Sequence, residues 1–465
     1  MSTLAPAPPL PSWAHLCEEK IKTAAEAIRM IRPGQRIMIG SGAGEPSRLV
    51  ESMVADGSHL DKNEIVHLLT LGPAPYVQPG LEKRFRHKAF FIGANVRSAV
   101  QEGRADFLPV FLSEIPKLIM SGRVPIDVAL VQVSPPDHHG FASLGVAVDI
   151  VRAAVDTAPL IIAEVNEQMP RTLGDSFIHV SRLAALVPVD QPVFELPVSP
   201  QDDVSRQIGE HVASLIPDGA TIQMGIGKIP DAVLAALANR HDLGVHTEML
   251  SDGVMDLVEA GVITGRKKTL LPGKAVASFL MGTRKLYQWA NDNPLLEMRP
   301  TQFTNDPFQI ARNDNMCAIN SAIAVDLTGQ VAADTVRGKF FSGIGGQVDF
   351  IRGAARSKGG KPIIALPSTA QGGQVSRIQT TFEEGAGVVT SRGDIHFIVT
   401  EYGVADLWGK SVRQRAEALI EIAHPDFRAE LLAGARRRCY ICPAGWWEAR
   451  EKEEEERLLA AGWAE

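Results

Sequence analysis

The chain is short of several things at once. Four cysteines in 465 residues, Cys17, Cys317, Cys439 and Cys442, are too few for a disulfide framework and fit a reducing compartment. No uncharged apolar stretch approaches the ~20 residues that span a bilayer, and the N-terminal MSTLAPAPPLPSWAH has neither the basic start nor the apolar middle of a secretory signal. A cytoplasmic location with no membrane partner is therefore expected. Excess positive charge is missing too: 47 Lys and Arg against 54 Asp and Glu give a net charge of −7, which argues against a nucleic-acid surface. Phosphate-loop signatures are incomplete, since Gly409-Lys410-Ser411 has Val404 where the upstream glycine belongs and QMGIGKIP lacks the third glycine of a dinucleotide fingerprint. Nucleotide hydrolysis and hydride transfer lose support.

What the chain does have is glycine, 41 residues of it, and the glycines expose an internal repeat. PGQRIMIGSGAGEP from Pro33 resembles PDGATIQMGIGKIP from Pro217, with Gly34, Ile37, Gly40 and Gly42 falling on Gly219, Ile222, Gly225 and Gly227 at an offset of 185. SLGVAVDIVRAA from Ser143 lines up with GIGGQVDFIRGA from Gly343 at an offset of 200, which matches Asp149 to Asp349. PLIIA from Pro159 then meets PIIAL from Pro362, with Ile161, Ile162 and Ala163 on Ile363, Ile364 and Ala365. Three collinear blocks imply two halves of one architecture.

Within each half, short apolar runs such as DVALVQV and LIIAEVN alternate with helix-length amphipathic segments such as EPSRLVESMVADG. Apolar strands without polar alternation belong to a sheet covered on both faces, so the fold class is α/β, two related open domains facing each other across a cleft. The Pro-rich VDQPVFELPVSPQDD reads as the connection. The expected domains are residues 12–197 and 198–437, followed by a charged tail over 438–465.

Ligands of such sheets bind at the carboxyl ends of strands. TIQMGIGKIPDAVL predicts a strand, the turn Gly225-Ile226-Gly227 and a helix, a place where backbone N–H groups meet an anion or simply turn the chain. HTEMLSDG sets Glu248 just past a strand; a carboxylate there serves as base or nucleophile, or merely faces water. If HLLTLG is its counterpart, with His67 on His246, Leu69 takes the place of Glu248, and only the second half carries the carboxylate. In FFSGIGGQVDF, Gly343, Gly345 and Gly346 replace Ser143, Gly145 and Val146, permitting close approach of a ligand or only a bend. Glu401, in IVTEYG, is a second strand-end carboxylate that could order the first or bind substrate. Weaker signals are set aside. Cys439 and Cys442 form a CxxC with no second ligand pair, adjacent His138 and His139 should point apart, and no metal site is expected.

QMGIGKIP, HTEMLSDGV, INSAIAVD, GIGGQVDF and TEYGVADLWGKS, with SPPDHHGFASLG and NEQMPRTLGDSFIH, together resemble the acetyl-CoA hydrolase/transferase family of class I CoA-transferases, particularly the 4-hydroxybutyrate and butyryl-CoA:acetate branch. The resemblance runs from about Ile31 to about Leu432. It implies ping-pong transfer of CoA between a short-chain acyl-CoA and a free carboxylate, with Glu248 as nucleophile. Met224, Gly225, Ile226, Gly227 and Lys228, with Gly343, Gly345 and Gly346, would contact CoA and supply oxyanion N–H groups; Ile323 would flank the CoA, and Asn320 and Glu401 would line the site. CoA enters as substrate, no tightly bound cofactor is expected, and a homodimer is the expected assembly. Trp408 departs from the family's pattern, standing where a basic residue is expected, and the tail beyond about Arg437 matches nothing in it.

The chemistry agrees with that resemblance. Glu248 would attack the acyl carbonyl and expel CoA thiolate; the thiolate would attack the resulting anhydride at the glutamyl carbon, leaving a glutamyl-CoA thioester that an incoming acid reverses. A carboxylate is a weak nucleophile, so stabilising the oxyanion carries the burden. A thioester hydrolase would use the same residues, and a non-catalytic CoA-binding protein would have no need of Glu248.

Overall fold

The computed structural model describes residues 11–198, 200–442 and Arg457. Two sheets organise it. The first holds β1 (Arg36–Ile39), β2 (Asn63–His67), β3 (Phe85–Ala89), β4 (Ala105–Phe107), β5 (Val128–Val133), β6 (Leu160–Asn166) and β7 (Ala185–Val189), in the order β4-β3-β2-β1-β5-β6-β7. The second holds β8 (Thr221–Met224), β9 (Gly244–His246), β10 (Ala275–Ala277), β11 (Leu296–Met298), β12 (Met316–Ser321), β13 (Lys361–Ala365), β14 (Phe397–Thr400) and β15 (Gly403–Asp406), in the order β11-β10-β9-β8-β12-β13-β14-β15. Apart from the antiparallel β15 the two orders are identical and every pairing is parallel, so the repeat read from glycines extends to topology. Burial explains the apolar runs: β5 is buried at all six positions between helices on either face.

Register corrects two details of the expected alignment. Ile37 pairs with Ile65 in the first sheet and Ile222 with Val245 in the second. With Ile37 on Ile222, His67 therefore stands on Thr247, and Leu68, not Leu69, occupies the place of Glu248. The same logic through β5 and β12 puts Ile162 on Ile363 rather than Ile364. Side chains alternate faces along a strand, so a one-residue slip would have turned His67 to the opposite face from the one it occupies. There it accepts or donates at 2.7 Å with Tyr76 Oη and stacks on His87 at 4.3 Å.

Loops at the carboxyl ends of both sheets meet. Ser278 O accepts from the N–H groups of Val148 and Asp149, and Leu280 N–H donates to Val146 O. Among the described residues no helix is long and apolar enough to cross a membrane, and no group of three or more His, Cys, Asp and Glu could hold a metal ion. His138 and His139 do not diverge as expected: their ring centroids lie 3.8 Å apart. Cys439, at φ 57° just past the helix Pro425–Arg437, and Cys442 are both free thiols. Beyond Cys442 the tail, Arg457 excepted, lies outside the described residues.

Candidate active site

Glu248 follows β9 and is half-buried. Its backbone carbonyl takes two N–H groups, from Ser278 and Phe279, both at 2.9 Å, which ties it to the strand neighbouring its own. Its carboxylate accepts from Asn305 Nδ2 at 2.7 Å. Asn305, fully buried, escaped the sequence reading because it sits in an irregular stretch between two one-turn helices where no periodicity or glycine marks it. The Asn305 amide oxygen Oδ1 accepts from Thr304 Oγ1 at 3.0 Å, and that hydroxyl is in turn bonded to Ser278. Thr304 has spent its proton on Asn305, so Ser278 must be the donor to Thr304. The donors therefore run one way, from Ser278 through Thr304 and Asn305 to the carboxylate.

Gly346 closes the other side. A Cβ there would lie 1.8 Å from Glu248 Oε2 and 2.2 Å from Asn305 Nδ2, so only glycine fits. Its φ is an ordinary −94°, which makes the requirement one of space and not of conformation. Gly346 caps α1 (Gln347–Arg356), whose N-terminal partial positive charge favours negative charge beside it. Two buried carboxylates flank Glu248 and come from matched positions of the repeat. Asp149 accepts from Ser41 Oγ at 2.9 Å and from backbone N–H groups of Ile150 and Val151; Asp349 accepts from Ser113 N and Oγ at 3.0 and 2.8 Å. Burial pushes the Glu248 carboxyl up to about 7; the Asn305 hydrogen bond opposes this and the Asp149 charge adds to it. Burial likewise raises Asp149 to about 6 and Asp349 to about 7.

Beside Glu248, the turn Gly225-Ile226-Gly227 leaves β8, and Thr247 Oγ1 donates to Met249 O at 2.9 Å, with Met224 O further off at 3.3 Å. Gly227 adopts φ 106° and ψ −177°, a region essentially reserved for glycine. Ile226 is partly exposed, while the Met224 side chain is buried in the core and leaves only backbone toward the turn. Ile226, Lys228, Ser321, Thr369 and Glu401 line an open cleft of about 540 Å³. Lys228 pairs with Asp202 across it at 3.0 Å. Glu401 is held by Ser368 N at 2.9 Å and Oγ at 2.6 Å, so its hydrogen bonds order a neighbouring loop rather than Glu248. Asn320 donates to Gln223 Oε1 at 3.0 Å, and Ile323 is half-buried two residues past β12. Gly343 and Gly345 lie against Phe91 of the first half. Trp408 does not line the cleft; it stacks on His396 at 5.1 Å.

Two like α/β halves enclosing a strand-end carboxylate between their loops define the class: an enzyme whose site is shared by a structural repeat. The chain belongs to the acetyl-CoA hydrolase/transferase family, whose N-terminal domain model matches residues 15–199 and whose C-terminal domain model matches residues 282–435. It is 51% identical over 426 residues, 92% of this chain and 99% of the other, to 4-hydroxybutyrate coenzyme A transferase of Clostridium kluyveri. The crystal structure of 4-hydroxybutyrate CoA-transferase from Porphyromonas gingivalis is 41% identical with a TM-score of 0.80, covering 92% of this chain and all of that one. Acetyl-CoA hydrolase of Saccharomyces cerevisiae is more distant, at 26% identity over 89% of this chain and 88% of its own.

Proposed function

We propose that the protein is an acyl-CoA:carboxylate CoA-transferase acting on short-chain acyl-CoAs such as acetyl-, propionyl-, butyryl- or 4-hydroxybutyryl-CoA. The observation that carries the reading is Glu248, a carboxylate with one neutral donor, hemmed by Gly346 and a helix N-terminus, at the mouth of the glycine turn. The 51% identity to a CoA-transferase favours transfer over the hydrolysis named in a relative at 26%.

Glu248 attacks the acyl carbonyl, the C–S bond breaks, and the CoA thiolate then adds to the glutamyl carbon of the anhydride, freeing the first acid. The second acid reverses both steps. Backbone N–H groups of Gly225–Lys228 and of Gly343–Gly346 receive the developing oxyanion, an interaction worth about 2.7–4 kcal/mol per donor. The cleft beside Ile226 and Lys228 receives the CoA, whose remote binding energy orients the thioester. CoA is a substrate, and the protein needs no tightly held cofactor or metal. Work in the cytoplasm as a homodimer fits this reading.

Incubation with acetyl-CoA and borohydride, followed by peptide mass mapping, tests it. A reduced glutamyl thioester on the Glu248 peptide is the expected result, and an unmodified peptide counts against covalent catalysis. Release of free thiol that is indifferent to an added acid would favour the hydrolase reading instead.

A further inference from the structure

The half without a nucleophile reaches the site through one arm of its neighbour. The hairpin of Thr335–Val336 and Lys339–Phe340 leaves the second half and lands on the first. Phe340 packs its ring against Phe107 at 5.1 Å, and its carbonyl accepts from Gln101 Nε2 at 2.8 Å. Arg97 donates to Phe341 O at 2.7 Å and places its guanidinium 3.7 Å over the Phe341 ring. The chain then enters the glycine turn, where Gly343 and Gly345 have room for no side chain without pressing on Phe91. Leu112 N–H donates to Gly345 O at 3.1 Å, and Ser113 binds both oxygens of Asp349 one turn further on.

These contacts with the first half bracket Gly346, where a methyl group would fall on Glu248 Oε2. We propose that Phe91, Arg97 and Ser113 are positioning residues that hold Gly343–Gly346 against Glu248, and that this hold decides whether the glutamyl-bound group passes to an acid or to water. The proposal rests on the transferase reading. Hydrolysis adds water oxygen to the glutamyl-CoA carbonyl, breaks the C–S bond, returns Glu248 as carboxylate and releases CoA thiol and one proton. Transfer puts an acid's carboxylate oxygen on the same carbon instead. A turn that lifts away admits the smaller nucleophile first and loses alignment for the larger.

The test compares the full-length protein with Arg97→Ala, Ser113→Ala and Ser113→Thr, using acetyl-CoA as donor and butyrate as acceptor. Butyryl-CoA and free thiol are measured in the same reaction, with KM for acetyl-CoA and the thermal midpoint. Both alanine variants should lose about tenfold in kcat for transfer at a KM within about threefold of wild type, with the thiol-to-butyryl-CoA ratio rising at least about threefold. Ser113→Thr keeps the hydroxyl and should stay near wild type. Should Ser113→Ala fail to fold, Arg97→Ala at the surface carries the same comparison. A parallel fall in both products with an unchanged ratio, or a change confined to KM, overturns the role of the arm. No acceptor-dependent butyryl-CoA from the wild type overturns the transferase reading, and the proposal with it.

Discussion

The two halves share a strand order and a glycine turn at the same place, yet one turn is closed and the other open. In the first half, a Cβ on Gly40 would meet Gly44 O at 2.9 Å, Gly42 N–H donates to Leu69 O at 2.6 Å and Ser41 Oγ is committed to Asp149. Glu45, just past the turn, takes the Gly72 N–H at 2.6 Å, and Met281 of the other half covers Gly42. In the second half, nothing lies nearer than 3.9 Å to a Cβ on Gly225, nothing at all meets one on Gly227, and Ile226 faces the cleft. The comparison teaches that a glycine turn is a fold element first. The same turn is packed shut in one half and left open beside a carboxylate in the other.

The comparison breaks most severely if Glu248 is dispensable. Glu248→Ala should reduce CoA transfer by at least about a thousandfold while leaving CoA binding largely intact, as measured by steady-state exchange and by calorimetric titration. Substituting Leu68→Glu in that background should rescue nothing, because the facing turn is closed. Next in size is Gly346→Ala, which drives a methyl into the Glu248–Asn305 pair and should cost about a hundredfold in kcat. The first half tolerates Val146 at the matching position, so unimpaired turnover would show that the two loops are interchangeable.

Smaller effects separate folding from function. Gly42→Ala must adopt φ 56° and displace Met281, and should lower stability by about 1–2 kcal/mol in denaturant titration with little change in kcat. Gly227→Ala, at φ 106°, strains an open turn by about 1–3 kcal/mol and should show mainly as lost activity. Reversal of that pattern would refute the contrast between closed and open turns. The pH dependence is the finest probe. Attack requires the anion, so acyl-CoA-dependent labelling of Glu248 should rise as pH increases through about 7. For stability the sign is opposite: a carboxyl raised from 4.5 to about 7 on folding favours the native state below pH 4.5, and that contribution is lost as pH rises through about 7. Glu248→Gln should therefore gain on the wild type from pH 5 to pH 8, by roughly 2–3 kcal/mol at most, in paired thermal or chemical melts. A gap independent of pH would mean that Glu248 is not raised.

The strands, the repeat, the glycine turns and the strand-end position of Glu248 were legible in the sequence because each leaves a local mark, whether an apolar run, a spaced pair of glycines or a charge at a strand end. Asn305 leaves none. Its role follows from tertiary placement by Thr304 and the backbone of two short helices, and asparagine in a loop is ordinarily a turn residue. The alignment of His67 with His246 was plausible by identity but wrong by one residue, since matching letters carry no information about which face of a strand they occupy. Asp149 and Asp349 were matched by the repeat without any sign that both would be buried near Glu248; burial is decided by what packs above them. Glu401 shows the converse. Its strand-end position was read correctly, and its hydrogen bonds turn out to belong to Ser368.

Ser113 and Asp349 are separated by 236 positions along the chain. On a ribosome the first half emerges and has time to assemble its own sheet long before residue 349 exists, since domains form as units during synthesis at about 5–20 residues per second. The site cannot assemble until the late-made arm crosses back, and a contact between such distant positions forms slowly because a long loop must first be closed. A nascent chain that stops short of residue 346 carries the sheet of the first half and Glu248 itself, but lacks the glycine that hems Glu248 and the aspartate that Ser113 holds.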